Sequence, residues 1–334
     1  MHTWVSRKVL VTGGCGFIGS YLVEELVKEG AAVTVVDNLS TGVLSNLAAV
    51  IGDVRFIEAD LVHFDKCMDA CRGMDVVMNL VGKTNGVGYS SSHHGEMLFE
   101  NTITQLNMLE AARRRDVKRF LVVSSSCVYP DDAPVPTPEL PVMAGLPEQA
   151  NEGYGWAKRI GELQAQFYHR ETDMTIAICR PFNPYGGRYA WRGELNSHVV
   201  PTLIKKIMDG QNPLVVWGSG KQRRNFLHAR DTAKLMMLLT DRYAGADPVN
   251  IGYEEDVSVA ELVSLMCQQA GHHPEVIFDT SKPEGRFQKC VDATLLRKVT
   301  DNYEPKISMS DGIRDMMAWY QQTFKRSRLY GTVS

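Results

Sequence analysis

Apolar runs alternate with amphipathic segments over the first 180 residues of the chain. The apolar runs predict strands at Val9–Val11, Ala32–Val36, Arg55–Ile57, Val76–Leu80, Phe120–Ser124 and Thr175–Cys179. Amphipathic segments between them predict helices at Phe17–Glu29, Asp65–Cys71, Glu96–Arg115 and Tyr154–His169. Such alternation is typical of a parallel sheet covered on both faces. The pattern therefore predicts an α/β fold, a Rossmann-type doubly wound parallel sheet.

The alternation ends after Arg180. A stretch rich in glycine, proline and aromatic residues, Pro181 to Gly193, precedes a smaller mixed region with short predicted strands at Leu214–Trp217, Asn225–His228 and Val276–Phe278. We predict a first domain over residues 1–180, to which residues 226–252 return. A smaller α/β substrate lobe is expected from residues 181–225 and 253–334.

The first predicted strand leads into a glycine-rich turn. Residues 11–19 read VTGGCGFIG, with glycines at positions 13, 16 and 19, and a predicted helix follows. In such a unit the backbone can approach a pyrophosphate, and the helix N-terminus favours its charge. The second predicted strand ends in Asp37, at the distance expected for a carboxylate on an adenosine ribose. A structural turn, with Asp37 capping the next one, is the alternative, but the ordered set favours dinucleotide binding.

Asp37 also bears on which dinucleotide binds. A carboxylate that holds the ribose diol repels a 2′-phosphate, and no Arg or Lys occurs between Asp37 and Gly42 to hold one. The sequence therefore favours NAD over NADP.

Three candidate catalytic residues follow the fifth predicted strand. Ser125 lies just past its carboxyl end, where open α/β sheets place their ligands. Tyr154 and Lys158 are four residues apart and so share one helix face. An ammonium beside the phenol, together with a cationic nicotinamide, lowers the phenol pKa. The phenolate can then take a proton from an alcohol while hydride leaves the same carbon.

As a set, these motifs resemble those of the extended short-chain dehydrogenase/reductase family, specifically its NAD-dependent sugar-nucleotide epimerases and reductases. The matching positions include residues 12–19, Asp60, Asn101, Ser125, Tyr154, Lys158 and 180–186. The resemblance implies a catalytic triad of Ser125, Tyr154 and Lys158, with Asp60 beside the adenine. It implies cofactor contacts from Gly13, Gly16, Phe17, Ile18, Gly19, Asp37, Asn38, Asp60, Leu61, Tyr154 and Lys158. For Asp60 alone, a structural acid at a strand end is the alternative.

Within that family the chain combines two patterns, both from enzymes of GDP-sugars. Residues 125–130 resemble a motif shared by GDP-mannose 3,5-epimerases and GDP-L-fucose synthases. The stretch from residues 86–89 through 101–102 and residues 107–113 are similar to the epimerases. Similar to the synthases are residues 196–201, 216–220, 226–228, 278–279, 282–285 and 289. Both groups invert sugar carbons that flank a ketone, which requires an acid and a base on opposite ring faces.

The resemblance assigns that acid/base pair to Cys127 and His198, whose thiol and imidazole can both titrate. A buried structural Cys127, or a His198 that caps the next helix, remains the alternative. The resemblance further places the nucleotide diphosphate at Arg224 and Lys289, since Arg makes bidentate phosphate contacts and Lys acts as a point charge. It places Trp217 near the base, with Ser126 and Asn183 as further substrate contacts.

The leading hypothesis is an NAD-dependent epimerase of a GDP-hexose, of the 3,5-epimerase type. The sugar is oxidised at C4, exchanges a proton beside the ketone and regains the hydride, so NAD is recycled. The first alternative is a 3,5-epimerase/4-reductase of a GDP-4-keto-6-deoxy sugar. The second is a non-catalytic NAD-sensing protein, which the retained Tyr154 and Lys158 disfavour.

The composition argues against nucleic acid as a partner and against a membrane location. The 334 residues are 44% hydrophobic and 22% charged, with a net charge of −3, so the chain carries no electrostatic footprint for nucleic acid. No apolar run approaches the roughly 18 residues of a membrane helix. The first strand begins too near Met1 for a signal peptide, so we expect a cytoplasmic protein.

Seven dispersed cysteines indicate neither disulfides nor a metal site. The family resemblance implies a homodimer through the helices at Glu96–Arg115 and Tyr154–His169.

Overall fold

Parallel strands form the central sheet of the structure, a computed structural model that describes residues 3–189, 191, 193, 197–282 and 286–325. In chain order the strands of this part of the chain are β1 Lys8–Thr12, β2 Ala32–Asp37, β3 Val54–Glu58, β4 Val76–Asn79, β5 Arg119–Val123, β6 Thr175–Pro181, β7 Pro184–Tyr185, β8 Leu214–Trp217, β9 Arg223–Asn225, β10 Leu227–His228, β11 Pro248–Ile251, β12 Asp256–Ser258, β13 Val276–Asp279 and β14 Gln288–Lys289.

The helices of the same part are α1 Phe17–Lys28, α2 Phe64–Ala70, α3 Val87–Ser90, α4 His94–Arg114, α5 Glu152–Glu171, α6 Val199–Met208, α7 Ala229–Arg242, α8 Val259–Ala270, α9 Thr294–Val299 and α10 Met309–Tyr320. The four helices predicted from the sequence are present as α1, α2, α4 and α5. Helix α6 was anticipated only as a helix that follows His198, and α3 and α7 to α10 were not predicted.

The central sheet has the order β11-β6-β5-β4-β1-β2-β3, with every neighbouring pair parallel. Its strands are apolar because both faces are covered. Side chains alternate between the faces: Val9 and Val11 pack with α1 and α7, whereas Leu10 packs in the opposite core with α2, α4 and α5. This sheet confirms the predicted fold class.

A third core forms the smaller lobe. Its buried residues come mainly from α6, α8 and α10 and from β8, for example Leu203, Met266, Met316 and Val216. The helix α8 begins with a capping box between Ser258 and Glu261, which satisfies two N-terminal N–H groups. The core of the lobe is thus built from elements that lie late in the chain.

Two details bear on the predicted organisation. The strand β11 pairs with β6, so residues 248–251 belong to the central sheet, although the domain boundaries themselves stay a prediction. The predicted strand at Asn225–His228 is wrong as one element. It is divided into β9, which pairs with β12 and β14, and β10, which pairs with β7.

Candidate active site

The glycine-rich turn between β1 and α1 is shaped by its glycines. Gly13 has φ of +66°, and a Cβ there would lie 3.2 Å from the Leu80 backbone. A Cβ on Gly19 would overlap the Gly13 carbonyl oxygen. Gly16, which has no side chain to cap the helix, is the N-cap of α1, and Phe17 and Ile18 are its first residues. The close backbone packing and the helix N-terminus fit the pyrophosphate of a dinucleotide.

Asp37 joins this turn to the end of β2. The buried carboxylate accepts hydrogen bonds from the Cys15 N–H at 3.0 Å and the Leu39 N–H at 2.9 Å. Burial raises the pKa of Asp37, while both hydrogen bonds lower it. The capping role considered as an alternative is therefore present. Each oxygen has a second lone pair, so the same carboxylate can also accept ribose hydroxyls.

A second acid lies beside Asp37 at the sheet edge. Asp60 accepts hydrogen bonds from the Asn38 side chain at 3.3 Å and from the Val62 N–H at 3.0 Å, and Leu61 is buried next to it. The structure thus brings Asp37, Asn38 and Asp60 together at the carboxyl ends of β2 and β3. This is where the sequence places the adenosine half of the cofactor.

Ser125, Tyr154 and Lys158 converge at the end of β5. Burial raises the pKa of the Tyr154 phenol, and the neighbouring Ser125 hydroxyl lowers it by less. The Lys158 ammonium lies 5.4 Å from the centroid of the Tyr154 ring, and burial lowers its pKa to about 8. The lowering of the Tyr154 pKa expected from the sequence therefore needs the positive nicotinamide ring.

The buried side chain of Asn101 holds the loop after β4 beside these groups. Its Oδ1 accepts from the Lys83 N–H at 2.9 Å, and its Nδ2 donates to the Lys83 carbonyl at 3.1 Å. A Cβ on Gly82 would lie 3.4 Å from the Lys158 ammonium. Asn101 therefore fixes the backbone that lines the Lys158 pocket.

Cys127 lies two residues beyond Ser125, in a short 3₁₀ turn over residues 126–128. The Ser125 Oγ accepts a 3.1 Å hydrogen bond from the Cys127 N–H. All seven cysteines lie in the described part of the chain, and Cys127 alone among them is not fully buried. Its Sγ is 3.9 Å from the Lys289 ammonium. Burial raises the pKa of the thiol to about 11, against a lowering contribution from Lys289.

Glu148 completes this cluster and was missed by the sequence analysis. It lies directly before α5, and its carboxylate accepts a 3.0 Å hydrogen bond from Lys289. Burial raises its pKa, but Lys289 outweighs burial and the net pKa is lowered. No spacing could have identified it, because its partner Lys289 is 141 residues away in the chain.

His198 precedes α6, a helix of the smaller lobe. Its backbone carbonyl accepts from Thr202, and within the described residues its imidazole makes no capping hydrogen bond to α6. The ring lies edge-on to Tyr189, whose ring contacts Phe17 in the same way, each at 5.6 Å between centroids. Desolvation by surrounding protein atoms and the Lys289 charge lower the His198 pKa. Since the residue is solvent-exposed, water screens part of both effects.

The residues predicted for the diphosphate are neighbours. Lys289 on β14 pairs in register with Arg224 on β9. The Arg224 guanidinium donates to the backbone carbonyls of Arg223, Arg286 and Phe287. Burial lowers the pKa of Arg224, and the Glu148 charge opposes that shift. Two cations and one acid therefore line the same part of the cleft, an arrangement that suits an anionic ligand.

The other predicted substrate residues have varied surroundings. Asn183 has φ of +38°, and its Nδ2 donates to the Asn225 carbonyl at 3.0 Å. Trp217 ends β8, with the Lys282 ammonium 5.8 Å above its ring. Ser126 is buried in the 3₁₀ turn. Of the synthase-like positions, Asn196 and residues 283–285 lie outside the described residues.

The family model for the NAD dependent epimerase/dehydratase family matches residues 9–252. The chain belongs to this family. It is 30% identical over 319 residues to GDP-L-fucose synthase 1 of Arabidopsis thaliana, covering 94% of this chain and 93% of that protein. It is 28% identical over 331 residues to GDP-mannose 3,5-epimerase 1 of Oryza sativa subsp. japonica, covering 98% and 86%.

Among solved structures, the UDP-glucose 4-epimerase of Thermus thermophilus in complex with NAD superposes with a TM-score of 0.82. The two chains share 25% identity, over 95% of this chain and 100% of the other. These likenesses confirm the family resemblance found in the sequence, and NAD as the cofactor of an epimerase-family enzyme.

Membrane-spanning helices and metal-binding clusters are both absent from the described residues. These residues contain no helix that is both long enough and apolar enough to cross a bilayer. They also contain no group of three or more His, Cys, Asp or Glu side chains placed to hold a metal ion.

Proposed function

We propose that this chain is an NAD-dependent epimerase of a GDP-hexose, of the 3,5-epimerase type. One observation carries the proposal: the Ser125 hydroxyl lies between Tyr154, the candidate base for C4 oxidation, and Cys127, a candidate acid/base group for proton exchange at carbon. It lies close enough to the Tyr154 phenol to lower the phenol pKa, and it accepts a hydrogen bond from the backbone N–H of Cys127. The group that handles the sugar alcohol and the group that exchanges carbon-bound protons therefore address one substrate.

Each candidate residue has a separate role in oxidation at C4 or in proton exchange beside the ketone. Ser125 holds the C4 oxygen, and Tyr154 takes the C4 hydroxyl proton while Lys158 provides positive charge beside the phenol. NAD, when bound, supplies the hydride acceptor and later the donor. The C4 ketone acidifies the protons on C3 and C5. Cys127 and His198 act from opposite faces of the ring, one removing a proton and the other delivering one.

The nucleotide is held by the cationic part of the cleft. Arg224 and Lys289 are adjacent across β9 and β14 and would contact the diphosphate, with Trp217 near the base. Asn183 and Ser126 would contact the sugar or a phosphate. The relatives that support a GDP-sugar are the synthase and the 3,5-epimerase named above, which align with nearly the whole chain.

A second candidate is a GDP-4-keto-6-deoxy-sugar 3,5-epimerase/4-reductase. It is favoured by the identity to GDP-L-fucose synthase 1, at 30% against 28% for the 3,5-epimerase. The same Tyr154 and Cys127 would serve, but a net reductase consumes a reduced cofactor at every turnover. Asp37 favours the recycled NAD of the epimerase over a reductase that draws on NADPH.

The test is mass spectrometry of GDP-mannose incubated in heavy water with the NAD-loaded protein and no reduced cofactor. Deuterium in the recovered sugar supports a ketone-assisted epimerase. No exchange with GDP-mannose, but exchange and reduction of a GDP-4-keto-6-deoxy sugar with NADPH, supports the second candidate. Exchange with neither substrate, from a folded and NAD-loaded preparation, contradicts both.

A homodimer and a cytoplasmic location belong to the same proposal. Phe99 on α4 is 69% exposed and Phe167 on α5 is 48% exposed, on two helices that pack against each other. Large exposed aromatic side chains favour burial against a second copy. Light scattering at micromolar concentration should give the mass of a dimer, and a monomer would contradict this part of the proposal.

A further inference from the structure

Three ionisable side chains from distant parts of the chain meet beside the sugar site. Cys127 follows β5, Glu148 precedes α5, and Lys289 lies on β14. The Lys289 ammonium is 3.0 Å from the Glu148 carboxylate and 3.9 Å from the Cys127 sulfur. Glu148 and Lys289 are each only 8% exposed. A buried ion pair therefore lies in direct contact with the candidate acid/base thiol.

The two charges of this pair act on Cys127 with opposite signs. A cation beside a thiol favours the thiolate, and an anion disfavours it. Lys289 lowers the pKa of Cys127 and Glu148 raises it. Because the two charges lie within hydrogen-bonding distance of each other, their fields largely cancel at the sulfur. Burial then dominates and favours the neutral thiol.

Among the described residues no hydrogen bond joins the Glu148 side chain to Tyr154 or Lys158; its carboxylate is instead bonded to Lys289. Its backbone is tied to the thiol region as well: the Glu148 N–H donates to the Cys127 carbonyl at 3.2 Å. Asn151 donates to its carboxylate at 3.3 Å. The carboxylate is thus held from two sides. It acts on Cys127 through its charge, through a direct side-chain interaction that also raises the thiol pKa, and through Lys289.

We propose that Glu148 is a positioning residue that anchors the Lys289 ammonium beside Cys127 and offsets its charge, so that Cys127 rests as a thiol. This inference deepens the proposed function, since it assumes that Cys127 is one of the two acid/base groups. A resting thiol begins the reaction as the proton donor, and His198 on the other side of the cleft is then the base. Removing the offset would raise the thiolate fraction of Cys127 and weaken it as a proton donor.

The other charged groups around the cluster permit a clean test. Tyr154 faces Cys127 from α5, and its phenol stays neutral near pH 8 because burial raises its pKa. Arg224 from β9 stays charged, and His198 ahead of α6 stays neutral because its pKa is lowered. Lys158 on α5 has a pKa of about 8 and does titrate in this range. Its contribution is common to all variants and cancels in their comparison.

The experiment follows alkylation of Cys127 by iodoacetamide as a function of pH on the folded full chain. The other six cysteines are buried, so peptide mass spectrometry isolates the one thiol that is not fully buried, and Cys127→Ser gives the background. Glu148→Gln should lower the midpoint of the profile and raise the alkylation rate at pH 8 by about tenfold, the effect of one pKa unit. Glu148→Asp keeps the charge and should keep the wild-type profile.

The variant Lys289→Met tests for a shift of the midpoint in the opposite direction. It leaves the Glu148 carboxylate next to the sulfur, so the midpoint should rise and alkylation at pH 8 should slow. The double variant Glu148→Gln/Lys289→Met removes both charges and should return towards the wild-type midpoint. The unfolding temperature of each variant is measured in parallel as a control for loss of stability. A less stable fold can only speed alkylation, so it cannot produce midpoint shifts of opposite sign.

An unchanged midpoint in Glu148→Gln, or shifts of the same sign in Glu148→Gln and Lys289→Met, would overturn the inference. Neither result depends on turnover, so it leaves the proposed epimerase activity standing. Conversely, if the wild-type protein fails to exchange deuterium with any nucleotide sugar, the proposed function fails while opposite midpoint shifts still establish the charge offset at Cys127.

Discussion

Lys158 donates a 2.9 Å hydrogen bond to the carbonyl oxygen of Val123, the last residue of β5. This bond ties the helix that carries Tyr154 to the strand end that carries Ser125. It also uses one of the three ammonium protons on the protein itself. The relative position of phenol and hydroxyl is thereby set by the fold before any substrate binds.

Replacing Tyr154 by Phe should remove the group that accepts the C4 proton while leaving the helix intact. General acid–base groups contribute about 10²–10⁴-fold to rate, so we expect turnover of the nucleotide sugar to fall by that factor. The assay is deuterium incorporation from heavy water, with bound NAD measured separately as a control. Full turnover in a variant that still holds NAD would remove Tyr154 from the mechanism.

Replacing Gly19 by Ala should abolish NAD binding, because the new Cβ would overlap the Gly13 carbonyl oxygen and displace the turn. The matched control is Gly52→Ala. At Gly52, no atom of the described residues lies within 4 Å of the Cβ position. NAD content after purification, read from absorbance of the released cofactor, distinguishes the two. Normal NAD content in Gly19→Ala would show that the turn is not the cofactor site.

Stability should depend on pH through Lys158. Burial lowers its folded pKa to about 8 from 10.5, so between these values the unfolded chain binds more protons than the folded one. Unfolding free energy therefore rises with pH across that window, by about 3 kcal/mol from this group, and the gain is absent below pH 8.

The measurement is denaturant unfolding of the wild type and Lys158→Met at several pH values. Their difference in unfolding free energy should shift in favour of the wild type from pH 8 to 10.5. A difference that stays constant over this range would mean that the folded pKa of Lys158 is not lowered.

The pair of Glu162 and Arg180 should be a main support of the site. Arg180 donates to both Glu162 oxygens, at 2.9 and 2.6 Å, and both side chains are almost fully buried. Glu162 also accepts from the Ser124 hydroxyl, next to Ser125. Glu162→Gln leaves the buried Arg180 charge uncompensated and should cost about 3–5 kcal/mol of unfolding free energy.

The exposed pair of Asp311 and Arg314 is the matched control for that substitution. Exposed pairs contribute about 0–1 kcal/mol, so Arg314→Gln, which leaves the contact of Asp311 with the N-cap Ser308 in place, should leave the unfolding midpoint almost unchanged. Chemical denaturation of both variants measures the contrast. Equal losses in the two variants would contradict the special role of the buried pair.

Local features of this protein could be predicted from sequence because they depend on residues that are close in the chain. The turn at residues 13–19 follows β1 directly, and Asp37 ends the very next strand. Tyr154 and Lys158 lie one turn apart on α5, so helix geometry alone brings them to one face. The alternation of apolar runs with amphipathic segments likewise predicted the central sheet, because the strands of a sheet covered on both faces are largely apolar.

The charge balance of the site was decided only by the tertiary structure. Glu148, Cys127 and Lys289 approach because β14 runs beside β9 in the lobe, and the loop before α5 folds over the end of β5. Their partners are up to 162 residues apart, and no local pattern encodes which buried acid meets which base. Backbone propensity and periodicity act over a few residues, whereas the ionisation of a buried thiol depends on every charge within a few ångströms, whatever its place in the chain.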